Sequence, residues 1–229
     1  MANNFDLQEQ EQLEEIKHFW KTWGNLITWA LIVVMGAFAA WNGWRLWQNR
    51  QAQQATALAE AVEAAVRVND TARLQQAFGD LKTGYGGTVQ AAQAGLQAAK
   101  ALIEVEKTDD ARAILTWVAE KADDPGLRAL ARLRLAGLLV DLKAYDEALA
   151  QVSASMPAEF AALTADRKGD VLQLQNKKTE AIEEYRRAWK ALDERLDYRR
   201  LVEAKLNALG VQPQTVAAAD KAGHAGVTQ

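Results

Sequence analysis

The sequence predicts an all-α protein, in which a single N-terminal transmembrane helix is followed by a tetratricopeptide-like solenoid of helical-hairpin repeats. Two observations lead to this prediction: an uncharged apolar stretch near the N-terminus, and a helical pattern that recurs with a period of about 34 residues. Only 3 of the 229 residues are proline, which also favours helix. We predict a polar acidic tail helix at 1–22, the transmembrane helix at 23–44, a linker helix and first helical hairpin at 45–87, repeats with a capping helix at 88–210, and a disordered tail at 211–229.

The predicted transmembrane helix has no charged residue between Lys21 and Arg45. At a helical rise of about 1.5 Å per residue, positions 23–44 span roughly 33 Å, about the thickness of the hydrocarbon core of a bilayer. Six of the 8 tryptophans lie between positions 20 and 47, mostly near the ends of the stretch. Indole rings favour the headgroup level of a membrane. We assign the membrane anchor to Trp23, Trp29, Gly36, Ala40, Trp41 and Trp44.

Two alternatives compete with a retained anchor. A buried core helix is rarely this long, this free of charge and this flanked by tryptophan. A signal peptide could be cleaved at Ala37-Phe38-Ala39, but the leader before its apolar run would be unusually long and net acidic. We therefore predict an anchor that is kept. The pairs Gly36/Ala40 and Ala39/Gly43 would also allow a second membrane helix to approach closely.

The orientation of the span is left open by its flanking charges. The positive-inside rule compares Lys17 and Lys21 before the span with Arg45 and Arg50 after it, and the counts are equal. The residues before the span predict a polar helix over positions 6–20. This helix either is solvated and has no partner, or docks on another protein.

Composition excludes several classes of function. The 27 basic and 30 acidic residues leave no basic field for nucleic acid. Cysteine is absent, which removes disulfides, thiolate metal sites and thiol nucleophiles. The only histidines are His18 and His224, in the predicted tails, and no serine lies in a nucleophile elbow. We therefore predict a protein that is not an enzyme and that uses no cofactor and no metal.

The chain after the span continues as helix from Arg45 to about Val68. Asn69-Asp70-Thr71 predicts a turn and a helix cap. The next helix ends at Gly84-Tyr85-Gly86-Gly87, which lacks the Lys-Ser/Thr of a phosphate loop and therefore predicts a chain reversal. Thr88 is expected to cap the following helix.

Three helical hairpins then share one pattern. The alanines Ala111, Ala148 and Ala181 open the second helices. The first spacing between them is slightly longer, and the second slightly shorter, than the period of about 34 residues that tetratricopeptide repeats have. In this register the small residue at each helix crossing, the large apolar residue three positions later and the facing residue of the second helix are Ala99, Leu102 and Leu115, then Ala136, Leu139 and Val152, then Gly169, Leu172 and Tyr185. Lys168 departs from the pattern, because it occupies a normally apolar position. A capping helix follows over Asp193 to Leu209, and Gly210 ends it.

The first helices of such repeats line a concave face. In this register, the predicted partner-binding residues are Leu96, Lys100, Ile103, Leu130, Leu133, Val140, Asp141, Leu163 and Asp170. They predict an apolar groove edged by acids. Either the C-terminal helix of the chain fills this groove, or the groove binds an apolar segment of a partner.

A family resemblance rests on the acidic N-terminal helix, the Trp-flanked span, the linker helix, the tetratricopeptide-like helix pairs and the closing helix. Its best markers are Glu11-Gln12-Leu13-Glu14-Glu15-Ile16-Lys17 with Trp20, and the closing helix from Tyr198 to Leu209. With them the chain resembles, from about Asn4 to Gly210, the YfgM family of ancillary subunits of the bacterial Sec translocon. The resemblance implies a cytoplasmic N-terminus, a single span in the bacterial inner membrane and a periplasmic repeat domain. It also implies association with the SecYEG channel, a PpiD-like foldase, and periplasmic chaperones or exported clients.

The expected function is therefore that of a non-enzymatic, membrane-anchored adaptor of the Sec translocon, which links protein export to periplasmic chaperones through a repeat-domain surface. The alternative is a membrane-tethered tetratricopeptide scaffold for another envelope-assembly complex, or a regulator of an envelope stress response.

Overall fold

The computed structural model describes residues 7–213, and the secondary structure of these residues is helical, with no β-strand among them. The all-α prediction is confirmed. Residues 1–6 and most of the predicted disordered tail, 214–229, lie outside the described residues. The helices are α1 (Leu7–Arg67), α2 (Thr71–Tyr85), α3 (Val89–Glu104), α4 (Thr108–Lys121), α5 (Pro125–Asp141), α6 (Tyr145–Ser153), α7 (Ala161–Leu174), α8 (Lys178–Ala191) and α9 (Asp197–Ala208), with a 3-10 turn at Ala158–Phe160 before α7.

Helix α1 runs through two compact units, of which the first ends at Gln51 and the second begins at Ala52. Among the side chains of the first unit that the structure describes, the large apolar ones are exposed: Phe38, for example, is 68% exposed. An 18-residue window of α1 has a mean hydropathy of 1.7, and only 6% of it is buried. The Thr28 hydroxyl donates a hydrogen bond to the carbonyl of Gly24 at 2.7 Å, which satisfies it within the helix. This segment is a candidate membrane span and does not have the burial of a core helix.

The second unit is built of helical hairpins whose turns share one backbone geometry. Across its described residues, the same turn position has a left-handed φ of 53° to 61° in four hairpins. The amide of the next residue donates to a carbonyl five positions earlier, as Lys107 does to Leu102 at 2.8 Å. This pattern satisfies carbonyls that the end of a helix would otherwise leave unpaired. The four left-handed residues are Asn69, Glu106, Lys143 and Asn176.

The structure shows a further repeat where the sequence predicts only a first helical hairpin. The end of α1 and helix α2 make the same turn at Asn69, which lies one repeat before Glu106. Leu74 and Phe78 of α2 occupy the positions of Ala111 and Leu115, and both are buried. A leucine in place of the usual alanine concealed this repeat.

The predicted register is confirmed by burial. The apolar residues assigned to the crossing, the facing position and the start of each second helix are at most 2% exposed. Gly169 is needed at its crossing, because a Cβ there would lie 2.6 Å from Cε1 of Tyr185. The core divides into a larger cluster, spanning α1 to α7, and a smaller one formed by α7, α8 and α9.

Candidate functional site

The first helices α3, α5 and α7 line a groove of about 680 Å³ within the second unit. Helix α4 adds one side chain to the lining, that of Leu115, and helix α9 adds another, that of Tyr198. The apolar lining residues are Ala99, Ile103, Leu115, Leu130, Leu133, Leu138 and Leu163, together with Gly137. The charged lining residues are Lys100, Glu104, Arg134, Asp141 and Arg167.

Six of the nine predicted partner-binding residues line this groove: Lys100, Ile103, Leu130, Leu133, Asp141 and Leu163. The other three lie elsewhere. Leu96 is a core residue with 5% exposure, and Val140 is packed against the same core. Asp170 accepts hydrogen bonds from the Tyr185 hydroxyl and the Lys205 ammonium group, both at 2.7 Å. The binding role of the groove itself stays a prediction.

The structure adds two arginines to a groove that was predicted to be edged by acids. Arg134 Nη1 donates to the carbonyl of Leu96 at 3.1 Å, which connects α5 to α3. Arg167 Nη1 lies 3.8 Å from a carboxylate oxygen of Asp170. The two arginines occupy equivalent positions of α5 and α7, two positions before Ala136 and Gly169. This repetition of arginine in the register is the sequence signal that could have identified them.

Four of the five charges of the groove are segregated by position along the first helices; the exception is Lys100, whose Nζ lies 3.8 Å from a carboxylate oxygen of Glu104. Glu104 and Asp141 occupy the position five places after Ala99 and Ala136, at the C-terminal ends of α3 and α5. The arginines lie nearer the middle of their helices. The groove therefore has an acidic rim on one side, where Lys100 lies beside Glu104, and a basic rim on the other.

Helix α9 is fastened beside the groove by a buried charged cluster. Asp166 is 3% exposed, and its carboxylate accepts hydrogen bonds from the Tyr198 hydroxyl at 2.6 Å and from Lys205 Nζ at 2.8 and 2.9 Å. Burial, and then hydrogen bonding to Asp170, raise the pKa of Tyr185; burial and hydrogen bonding to Asp166 likewise raise the pKa of Tyr198. Asp166 and Asp170 are thus engaged within the fold.

The lining of the groove combines apolar side chains with charged ones. Within residues 7–213, no group of three or more His, Cys, Asp or Glu residues is placed to hold a metal ion. The lining as described contains no His, Cys, Ser or Thr. An apolar floor between charged rims can hold the apolar face of another molecule while its polar groups stay in water.

The predicted anchor residues lie along the exposed part of α1. Trp23, Trp29, Trp41 and Trp44 are each at least 50% exposed, and a Cβ at Gly36 would meet no atom within 4 Å. These positions leave the side chains available to lipid, and their anchoring role remains a prediction.

Residues 17–211 match the family model described as a tetratricopeptide repeat-like domain. The chain is also similar to three proteins named ancillary SecYEG translocon subunit. It is 34% identical over 204 residues to the protein of Neisseria gonorrhoeae, an alignment that covers 89% of this chain and 98% of that one. It is 27% identical over 186 residues to the protein of Escherichia coli, covering 80% and 86%, and 25% identical over 188 residues to that of Haemophilus influenzae, covering 80% and 90%.

Proposed function

Because the chain belongs to the family of the ancillary SecYEG translocon subunit, we propose that it is a non-enzymatic, membrane-anchored adaptor of the Sec translocon. The observation that carries this proposal is the relative that aligns over 98% of its own length, since that alignment takes in both the candidate span and the repeats. The family resemblance predicted from the two end segments is confirmed by these comparisons.

In the proposed arrangement, α1 crosses the bacterial inner membrane once, with a cytoplasmic N-terminus and a periplasmic repeat domain. The exposed apolar segment of α1 supports the crossing. Orientation rests on the family resemblance, because the flanking charges are balanced. Anchoring would raise the local concentration of a weak binding surface beside the translocation channel.

The repeat domain would act through the groove, by binding an apolar segment of a partner. Six of the predicted partner-binding residues line the groove. Ile103 and Leu163 are each 38% exposed, so apolar surface remains for a partner to cover. The partners that fit this role are a PpiD-like foldase, periplasmic chaperones and exported clients.

Protease treatment of intact spheroplasts tests the orientation. With epitope tags at each end of the full-length chain, the proposal predicts that external protease removes the C-terminal tag and spares the N-terminal tag. The reverse pattern would place the repeats in the cytoplasm and contradict the proposal.

Affinity capture from gently solubilised membranes tests the association. The full-length chain should retain SecYEG, quantified by mass spectrometry against an untagged strain. A matched control replaces positions 23–44 with the span of an unrelated single-pass protein, and separates contacts of the anchor from contacts of the repeats. Recovery of a different envelope complex without SecYEG would favour the scaffold or stress-regulator alternative.

A further inference from the structure

Helix α5 has a glycine, Gly137, within its length and on the floor of the groove. Glycine is among the least favourable residues in a helix interior. Packing explains Gly95 and Gly169, because a Cβ would lie 2.7 Å from Cγ2 of Val118 in the first case and 2.6 Å from the Tyr185 ring in the second. A Cβ at Gly137 would meet no atom within 4 Å. No close contact within the described residues therefore accounts for this glycine.

Gly137 lies between opposite charges on one face of α5. Arg134, Gly137 and Asp141 follow one another at spacings of three and four positions, and all three line the groove. From Arg134 to Asp141 the rise along the helix axis is about 10 Å, which matches the diameter of about 10–12 Å of an α-helix with its side chains. Arg167 of α7 extends the basic side, where it lies 3.8 Å from Asp170, and Glu104 of α3 extends the acidic side, where it lies 3.8 Å from Lys100.

We propose that the groove binds an amphipathic α-helix of a partner protein, which crosses α5 over Gly137. Its basic flank faces Glu104 and Asp141, and its acidic flank faces Arg134 and Arg167. The missing Cβ lets the apolar face of the partner approach the α5 backbone closely. This inference rests on the proposed function and deepens it, since it states the chemistry of the bound segment.

Three synthetic helical peptides test the charge pattern. Each is about 14 residues long, enough to span about 20 Å, and has the same leucine and alanine face. One has lysines on one flank and glutamates on the other, the second has lysines on both flanks, and the third has glutamates on both. Binding is measured by fluorescence anisotropy on the full-length protein in phosphatidylcholine nanodiscs, with empty nanodiscs subtracted.

The mixed-charge peptide should bind about tenfold more tightly than either single-charge peptide at low salt. The advantage should shrink as salt is added, because the rim charges are exposed. Equal affinity for the three peptides, or no binding of the mixed-charge peptide, would overturn the proposal.

Two glycine variants form a matched pair. Gly79 of α2 also lies within a helix, lacks any atom within 4 Å of a Cβ and is outside the groove. Gly137→Ala and Gly79→Ala should each raise the Tm by about 2 °C, since alanine favours helix. Only Gly137→Ala should weaken peptide binding, by about tenfold, because the added methyl group overpacks the contact. Wild-type affinity in Gly137→Ala would refute the role of this glycine.

Two further measurements test whether the tail of the chain or a second copy of the protein occupies the groove instead. Unchanged affinity after removal of residues 214–229 supports the proposal, whereas a large gain in affinity would identify the tail of the chain as the occupant and overturn it. A dimer seen by mass photometry that Gly137→Ala dissociates would identify a second copy instead. Failure of the peptide test alone removes only this inference, whereas failure to capture SecYEG removes the proposed function.

Discussion

Lys205 of α9 places its ammonium nitrogen 2.8 Å from one carboxylate oxygen of Asp166 in α7 and 2.9 Å from the other. The Lys205 side chain is 23% exposed and that of Asp166 is 4% exposed, so the pair is largely removed from water. Helix α9 also buries Val202 and Leu206 completely. The capping helix is therefore attached by both apolar contacts and a specific ion pair.

Lys205→Met should destabilise the repeat domain by about 3 kcal/mol, because Asp166 and Asp170 would lose the cation that lies between them. Urea titration of the full-length protein in mild detergent, followed by far-UV circular dichroism, measures the loss. Arg200→Met is the control, since the Arg200 side chain on the same helix is 85% exposed and should contribute little. Adding Asp166→Leu should recover part of the stability. A double variant whose loss of stability equals or exceeds the two single losses added together would contradict this interpretation.

Gly169→Ala should destabilise the protein by about 2 kcal/mol, because its Cβ would meet the buried ring of Tyr185. Combining it with Tyr185→Leu reproduces the pair Ala99 and Leu115 of an earlier repeat. The same urea titrations should show that the double variant is more stable than the sum of the single effects predicts. Additive losses would mean that the two residues are not coupled.

Glu184→Gln should destabilise the protein by about 1 kcal/mol. Glu184 is 8% exposed, and its carboxylate lies 2.9 Å from Lys168 Nζ and 3.1 Å from Arg187 Nη1. The substitution leaves the half-buried Lys168 without its counter-charge. Thermal unfolding measures the effect, and Lys168→Met in the Glu184→Gln background should restore stability. No change in the single variant would show that the ion pair is energetically silent.

Stability should fall as the pH rises above about 10, the ordinary pKa of tyrosine. The folded protein raises the pKa of Tyr185, so the unfolded chain loses this proton first and then binds fewer protons than the folded chain. The stabilising contribution of Tyr185 is complete below a pH of about 10 and is lost toward the raised pKa, at about 1.4 kcal/mol per pH unit. Urea titrations at several alkaline pH values should give Tyr185→Phe a shallower decline than the wild type. Parallel declines would contradict the raised pKa.

The sequence predicted those features that depend on local chain chemistry. Thr88 was expected to cap a helix, and its Oγ1 accepts a hydrogen bond from the amide of Ala91 at 3.2 Å. Asp70 likewise caps α2 by accepting from the amide of Arg73 at 3.0 Å. The repeat register was predictable because buried residues must recur with the period of the helix.

Features that depend on contacts between distant residues were not predicted. In the sequence, Lys168 only departs from the repeat pattern. In the fold, its ammonium group pairs with Glu184 of the next helix. Lys205 and Asp166 are separated by 39 residues, and no helical spacing links them. The repeat register predicted that Leu96 lines the groove. A register gives the angle at which a side chain leaves its helix, but it does not show how much of that side chain the neighbouring helix buries.

Photo-cross-linking in living cells tests whether the groove of this protein binds partners at the translocon. A photoreactive amino acid at Leu133, on the groove, is compared with one at Glu120, an exposed position on α4 away from the groove lining. We expect cross-linked products from Leu133 that co-purify with SecYEG, and none of these from Glu120. Equal products from both positions, or none from Leu133, would contradict a translocon adaptor that binds through its groove.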